Sequence, residues 1–189
     1  MSAENLDQKP KFKHRIANKD DVTAIIELMQ ISITENMKAY LSPGEIEAAK
    51  ETMGVDRTLI EDSSYFLIEA MVNQQNILVG CGGWGKRRTL YGGDHTKGRD
   101  DRLSDPSADA ARIRAMYTHP DWTRLGIGSL LLELGENAAR KAGFKIIELG
   151  STVAGEALYV ARGYVETHRH STSANNGSMS LIITMEKTL

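Results

Sequence analysis

Hydrophobic and polar positions alternate along residues 12–17, which predicts a first strand. The period then changes to that of a helix. Val22, Ile25, Ile26, Met29 and Ile33 share one face, with Asn18 or Asp20 where a capping side chain belongs. Ser42-Pro43-Gly44-Glu45 opens a second, shorter helix that runs to about Thr52. Residues 65–72 and 77–84 read as paired strands around a turn at 73–76, and residues 110–118 as the next strand. Gly80, Gly82, Gly83 and Gly85 interrupt the second of these, as in a bulged or closely packed strand. The clearest helix follows. Ile127, Leu130, Leu131, Leu134 and Ala138 form one apolar stripe, and Lys141-Ala142-Gly143 supplies a cationic last turn and a left-handed stop. A strand at 145–150, a helix at 155–162 broken by Gly163, and strands at 164–170 and 179–185 complete the pattern, the last two joined through Asn176-Gly177.

The resulting order is β-α-α-β-β-β-α-β-α-β-β. Three consecutive strands before the central helix predict a mixed, mostly antiparallel sheet flanked by helices, an α/β (α+β) domain rather than a doubly wound one. One domain is expected over residues 12–189, after a loose tail at 1–11. Residues 86–108 stand out as an inserted loop. They mix Gly92-Gly93, several basic residues, Asp94 and His95, and suit either a functional loop or a solvated insertion.

Composition narrows the function classes. The 189 residues are 41% hydrophobic and 25% charged, values of an ordinary globular protein, and the net charge of −2 gives no electrostatic case for nucleic acid. No apolar stretch approaches a membrane span, so a cytoplasmic protein is expected. The single cysteine, Cys81, excludes an internal disulfide framework and a cysteine-based metal cluster. His14, His95, His168 and His170 show no metal-ligand spacing, and no metal is expected.

Candidate chemistry concentrates between a strand and the clearest helix. His119-Pro120 ends the strand, and Thr123-Arg124-Leu125-Gly126-Ile127-Gly128-Ser129 leads into the helix. Such a loop offers backbone N–H groups and a positive helix end to an anion, most simply a phosphate. Two glycines before a helix also serve as a plain turn. The dinucleotide fingerprint is absent because Leu131 stands at its third glycine position, and no Gly-Lys-Ser/Thr follows to make a P-loop.

MYTHPDWTRLGIGSLLL contains a segment similar to the coenzyme A pyrophosphate loop, Q/R-x-x-G-x-G/A, of the GNAT superfamily of N-acetyltransferases. ALYVARGY, from Ala157 to Tyr164, resembles that superfamily's A-L-Y-x-x-x-G-F/Y segment. Together, on a helix-strand-helix frame, the two carry the resemblance. It departs at Thr123, where Gln or Arg is usual, and at Thr152, where many relatives carry Asn.

The resemblance implies an acetyl-CoA-dependent N-acetyltransferase that moves an acetyl group directly to a primary amine of a small molecule, or to an exposed amino group of a peptide, in a ternary complex. Acetyl-CoA would lie where the fourth strand parts from the fifth. Met116, Tyr117 and Thr118 would bond its pantetheine arm through their main chain. The N–H groups of Arg124, Leu125, Gly126, Ile127, Gly128 and Ser129 would hold the pyrophosphate, and Thr152 would add a hydroxyl. Tyr159 would be the general acid for the leaving thiolate. The general base stays open among His119, Glu69, Glu148 and a water chain. Arg87, Arg88, Lys97 and Arg99 raise the question of an anionic group on the substrate, which a solvated loop face answers equally well. A homodimer is compatible with the fold. An alternative within it is a non-catalytic acyl-CoA-binding or regulatory module, and a generic nucleotide-phosphate binder is a third reading.

Overall fold

The computed structural model describes residues 11–173 and 177–189. Residues 1–10 of the expected tail, and Asn176 of the expected last turn, lie outside the described residues. The strands are β1 (Phe12–Ile16), β2 (Tyr65–Val72), β3 (Gln75–Gly85), β4 (Ala111–Thr118), β5 (Ile146–Ser151), β6 (Val165–Ser173) and β7 (Met179–Thr188). They form one sheet in the order β1-β2-β3-β4-β5-β7-β6. Every neighbouring pair is antiparallel except β4 with β5. Helices α1 (Val22–Asn36), α2 (Pro43–Thr52), α3 (Arg57–Glu61), α4 (Ile127–Lys141) and α5 (Val153–Ala161) flank the sheet. The mixed sheet flanked by helices is the arrangement the element order predicts.

Local chemistry accounts for most boundaries. Asn18 caps a short 3-10 turn that runs into α1: its side chain accepts the Asp20 N–H at 2.8 Å, and Asp21 accepts the Asn18 N–H at 2.8 Å. Ser42 and Glu45 make the same reciprocal box at α2. The β2–β3 turn is tighter than expected, because Asn73 and Gln74 both take left-handed φ (47° and 65°) and Val72 pairs directly with Gln75. Helix α3 is absent from the sequence reading. Five residues carry too little periodicity, and its one signal is Asp56, whose carboxylate accepts the Thr58 N–H at 3.1 Å.

Strand β2 divides the core. Phe66 and Ile68 pack into the cluster that includes Ile127, Leu131 and Leu132 of α4, while Tyr65 and Leu67 join Ile25, Leu28 and Ile33 of α1. The buried stripe of α4 is turned relative to the predicted one. Ile127, Leu131, Leu132, Gly135, Glu136 and Ala139 are buried, and Leu130, Leu134 and Ala138 are only partly covered. Gly135 sits at this interface because a Cβ there would stand 2.8 Å from Cδ1 of Ile113. Glu136 is buried because Lys187 reaches it at 2.8 Å and the Tyr164 hydroxyl donates to it at 3.2 Å.

The glycines of β3 let neighbouring elements close on the strand. A Cβ on Gly80 would lie 2.3 Å from Cγ2 of Ile127, the first residue of α4. Gly80→Ala is therefore expected to cost roughly 1–3 kcal/mol of folding stability through overpacking. Urea denaturation followed by circular dichroism measures this as a lower midpoint.

Candidate active site

Strand β4 breaks in its middle. Gly83 pairs with Arg114 and Cys81 with Tyr117, so Ala115 and Met116 together oppose the single residue Gly82. Ala115 takes a left-handed φ of 51°, and the buried Tyr65 hydroxyl donates to its carbonyl at 2.7 Å. Gly82 leaves room for the bulged segment, since a Cβ there would meet the Met116 sulfur at 2.7 Å. On its other edge β4 pairs with β5 only at Ala111–Ile147 and Arg112–Glu148. Beyond that point the two strands separate around a cavity of about 300 Å³, lined by Met116, Tyr117 and Thr118 on one side and by residues 150–155 on the other.

The main-chain groups of this edge differ in availability. The His119 N–H goes to Val79 O on β3, and antiparallel alternation directs Tyr117 the same way, toward Cys81. Thr118 faces the other side, where helix α1 meets it. The Asn36 side chain donates to its carbonyl at 2.8 Å, and its N–H donates to the Ser32 hydroxyl at 3.3 Å. Ser32 and Asn36 also line the cavity, and sequence reasoning missed both. Their i, i+4 spacing on one face of α1 was the available signal.

The loop before α4 is held by its own residues. The Thr123 hydroxyl donates to Pro120 O at 3.1 Å, and Arg124 and Gly126 take left-handed φ of 63° and 93°. The first intrahelical bond runs from the Leu130 N–H to Gly126 O, which leaves the N–H groups of Ile127, Gly128 and Ser129 ahead of it. No side chain among the described residues caps this end. Arg124, Leu125 and Gly126 are exposed, and the Arg124 guanidinium has no partner among the described residues. The arrangement can take an anion on main-chain donors at the positive end of a 15-residue helix. Gly126 is required by its φ, whereas Gly128 admits Leu158 of α5, which would stand 2.6 Å from a Cβ.

The two tyrosines of ALYVARGY do different work. Tyr159 is buried and lines the cavity, and burial pushes its phenol up to about 12. Tyr164 packs edge-on against it at 5.9 Å and uses its hydroxyl on Glu136. Thr152 lines the cavity as the N-cap residue of α5 and makes no side-chain cap bond there.

The inserted loop closes one wall. The buried Arg114 guanidinium donates to Thr89 O at 2.8 Å and to Gly92 O at 2.7 Å, and pairs with the fully buried Asp56 at 2.8 Å. Arg99 of the loop meets the same carboxylate at 3.1 Å. Leu90, Tyr91 and Gly92 are thereby held against the cavity. Arg87 is paired with Asp62 and Arg88 with Asp109, and none of Arg87, Arg88, Lys97 and Arg99 lines the cavity. The suggestion of an anionic substrate group therefore finds no support in these cations. None of the three base candidates lines it either. His119 caps a 3-10 turn, Glu69 is paired with Arg15, and Glu148 with Arg112.

A family profile described as the acetyltransferase (GNAT) family matches residues 26–164. The chain belongs to that acetyltransferase family. Among solved structures, a GCN5-related N-acetyltransferase from Rhodopseudomonas palustris shares the fold with a TM-score of 0.66 at 20% identity, covering 96% of this chain and 97% of its own. The PaiA N-acetyltransferase from Thermoplasma acidophilum, solved in complex with coenzyme A, follows at 0.59 and 15% identity, covering 95% and 99%. The yncA protein of Salmonella typhimurium, solved with its cofactor acetyl-CoA, gives 0.59 at 18% identity and covers 94% of both chains. A search of curated proteins finds no match. No helix among the described residues of this GNAT chain is long and apolar enough to cross a membrane. No group of three or more metal-ligating side chains occurs among those residues.

The buried phenols imply a pH dependence. Burial raises Tyr65, Tyr117, Tyr159 and Tyr164, so the folded protein keeps protons that the unfolded chain has already released. Stability is then intact below the ordinary phenol value of about 10 and falls as pH rises toward and beyond 12. Denaturation midpoints measured from pH 8 upward should drop above roughly pH 10. Absorbance at 295 nm should show four of the six phenols ionising late.

Proposed function

We propose that this GNAT-family protein transfers the acetyl group of acetyl-CoA to a primary amine while both are bound. The observation that carries this reading is the continuity of three features: an uncapped helix end, a β4 edge opened by its bulge, and a phenol facing the same cavity. The order of these features suits a ligand with a phosphate end, an extended amide arm and a reactive tip. The N–H groups from Arg124 to Ser129 take the pyrophosphate, with the Arg124 guanidinium, unpaired among the described residues, beside them. The Met116–Thr118 edge takes the pantetheine arm as an added strand, with Asn36 and Ser32 ceding or sharing the Thr118 groups they hold. The Thr152 hydroxyl adds a donor on the opposite wall.

Acetyl-CoA supplies the acetyl group as an activated thioester, so a C–N bond forms as the C–S bond breaks. The N–H of Met116, which the bulge leaves without a register partner on β3, polarises the thioester carbonyl. The Tyr159 hydroxyl, kept protonated by burial, gives its proton to the departing sulfur. The proton lost by the amine leaves through water at the cavity mouth, since His119, Glu69 and Glu148 are engaged elsewhere. Holding amine and thioester in contact supplies most of the rate, because oriented pairs reach effective molarities of roughly 10⁵ M or more.

The test pairs binding with turnover. Calorimetry should detect CoA and acetyl-CoA but neither ATP nor NAD, and thiol release should require an amine. Tyr159→Phe should leave acetyl-CoA affinity within about twofold and lower kcat by about 10²-fold or more. Tight acetyl-CoA binding with no thiol release for any amine would favour the non-catalytic module.

A further inference from the structure

We infer that the acceptor end of the cavity takes an apolar primary amine bearing no anionic group, and that Glu45 draws in its ammonium. The inference rests on the acetyl transfer proposed above and names the acceptor class. Away from the β4–β5 opening, the cavity is walled by Met37, Leu41, Met53, Leu90, Tyr91 and Leu181. These side chains come from the α1–α2 segment, the inserted loop and β7, and all but the Tyr91 hydroxyl present apolar surface to the body of an acceptor. The methionines adapt to the shape of what they cover.

Charge decides the rest. Among the described residues, two charged side chains line the cavity, Arg114 and Glu45. Arg114 is spent on Asp56 and on the carbonyls of Thr89 and Gly92, and buried with them. Glu45 has no ion pair among the described residues. Its Oε2 accepts from the Ser42 N–H at 2.8 Å and from the Ser42 hydroxyl at 2.7 Å, while Oε1 accepts no bond among those residues. The two bonds from Ser42 hold this carboxyl below its ordinary range, so it stays anionic across working pH and acts as an attractor rather than a base. An amine arriving as its ammonium meets a free carboxylate oxygen. A carboxylate or phosphate on the acceptor would face apolar walls and a like charge, with no free cation among the described lining residues to meet it.

The experiment uses the full chain saturated with acetyl-CoA and follows thiol release from matched acceptors. Hexylamine, phenethylamine and tryptamine are compared with 6-aminohexanoate, phenylalanine and tryptophan, in wild type and Glu45→Gln. Glutamine can keep the reciprocal cap with Ser42 while removing the charge, and the melting temperature of the variant checks this. The best apolar amine should exceed its carboxylated counterpart by about tenfold or more in kcat/KM. Glu45→Gln should raise KM for that amine by about tenfold with kcat little changed. Equal use of the carboxylated partners, or an unchanged KM in Glu45→Gln, overturns the inference. If acetyl-CoA raises the melting temperature but no apolar amine releases thiol, the acceptor inference falls and the cofactor reading stands. If acetyl-CoA gives no shift, both fall together.

Discussion

A sheet strand cannot leave its neighbour without leaving main-chain groups behind, and β4 meets that constraint in the centre of this protein. Its bulge removes Ala115 and Met116 from the β3 ladder, and its separation from β5 exposes the other edge. The groups released are caught by specific side chains. Tyr65 takes the Ala115 carbonyl, and Asn36 and Ser32 take the two sides of Thr118. The cavity exists because these partners let the strands stay apart. Met116, which has no partner across the β3 register, is left facing the space that opens.

A second set of interactions fixes what surrounds that space. Burying Asp56 is tolerable only because Arg99 and Arg114 both reach it, and Arg114 also satisfies two loop carbonyls. One buried carboxylate thus ties the start of α3, the inserted loop and the residue before the bulge into one unit. Of the loop's other cations, Arg87, Arg88 and Arg102 pair with Asp62, Asp109 and Asp100, and none of these or Lys97 lines the cavity, so its basic appearance in sequence does not become a basic site. Glu136 plays a comparable part behind α4. There Lys187 and Tyr164 hold it, while Tyr159 of the same segment lines the cavity.

The chain itself determined the order and kind of the elements longer than a few residues. Periodicities of two and of about 3.6 depend only on which faces are buried, and caps such as Asn18 and Ser42 act within three residues. The loop Arg124–Ser129 was legible because its geometry is local, set by left-handed residues and a helix end, whereas the segment holding Tyr159 stood out only through its resemblance to a family motif. The rotation of the α4 stripe, by contrast, was decided by what packs on it. Gly135 admits Ile113, and Glu136 is compensated by residues from β7 and from the turn after α5. The bulge at Ala115 and Met116, the grip of Asn36 on Thr118, and the pairing of Arg87, Arg88 and Arg99 with aspartates join positions distant in the chain. No spacing encodes such partnerships, because a hydrogen bond or ion pair depends on where the fold brings two groups and how far it removes them from water. Tertiary structure alone therefore decided which charges are spent in the framework, and that Glu45, with no ion pair among the described residues, lines the cavity.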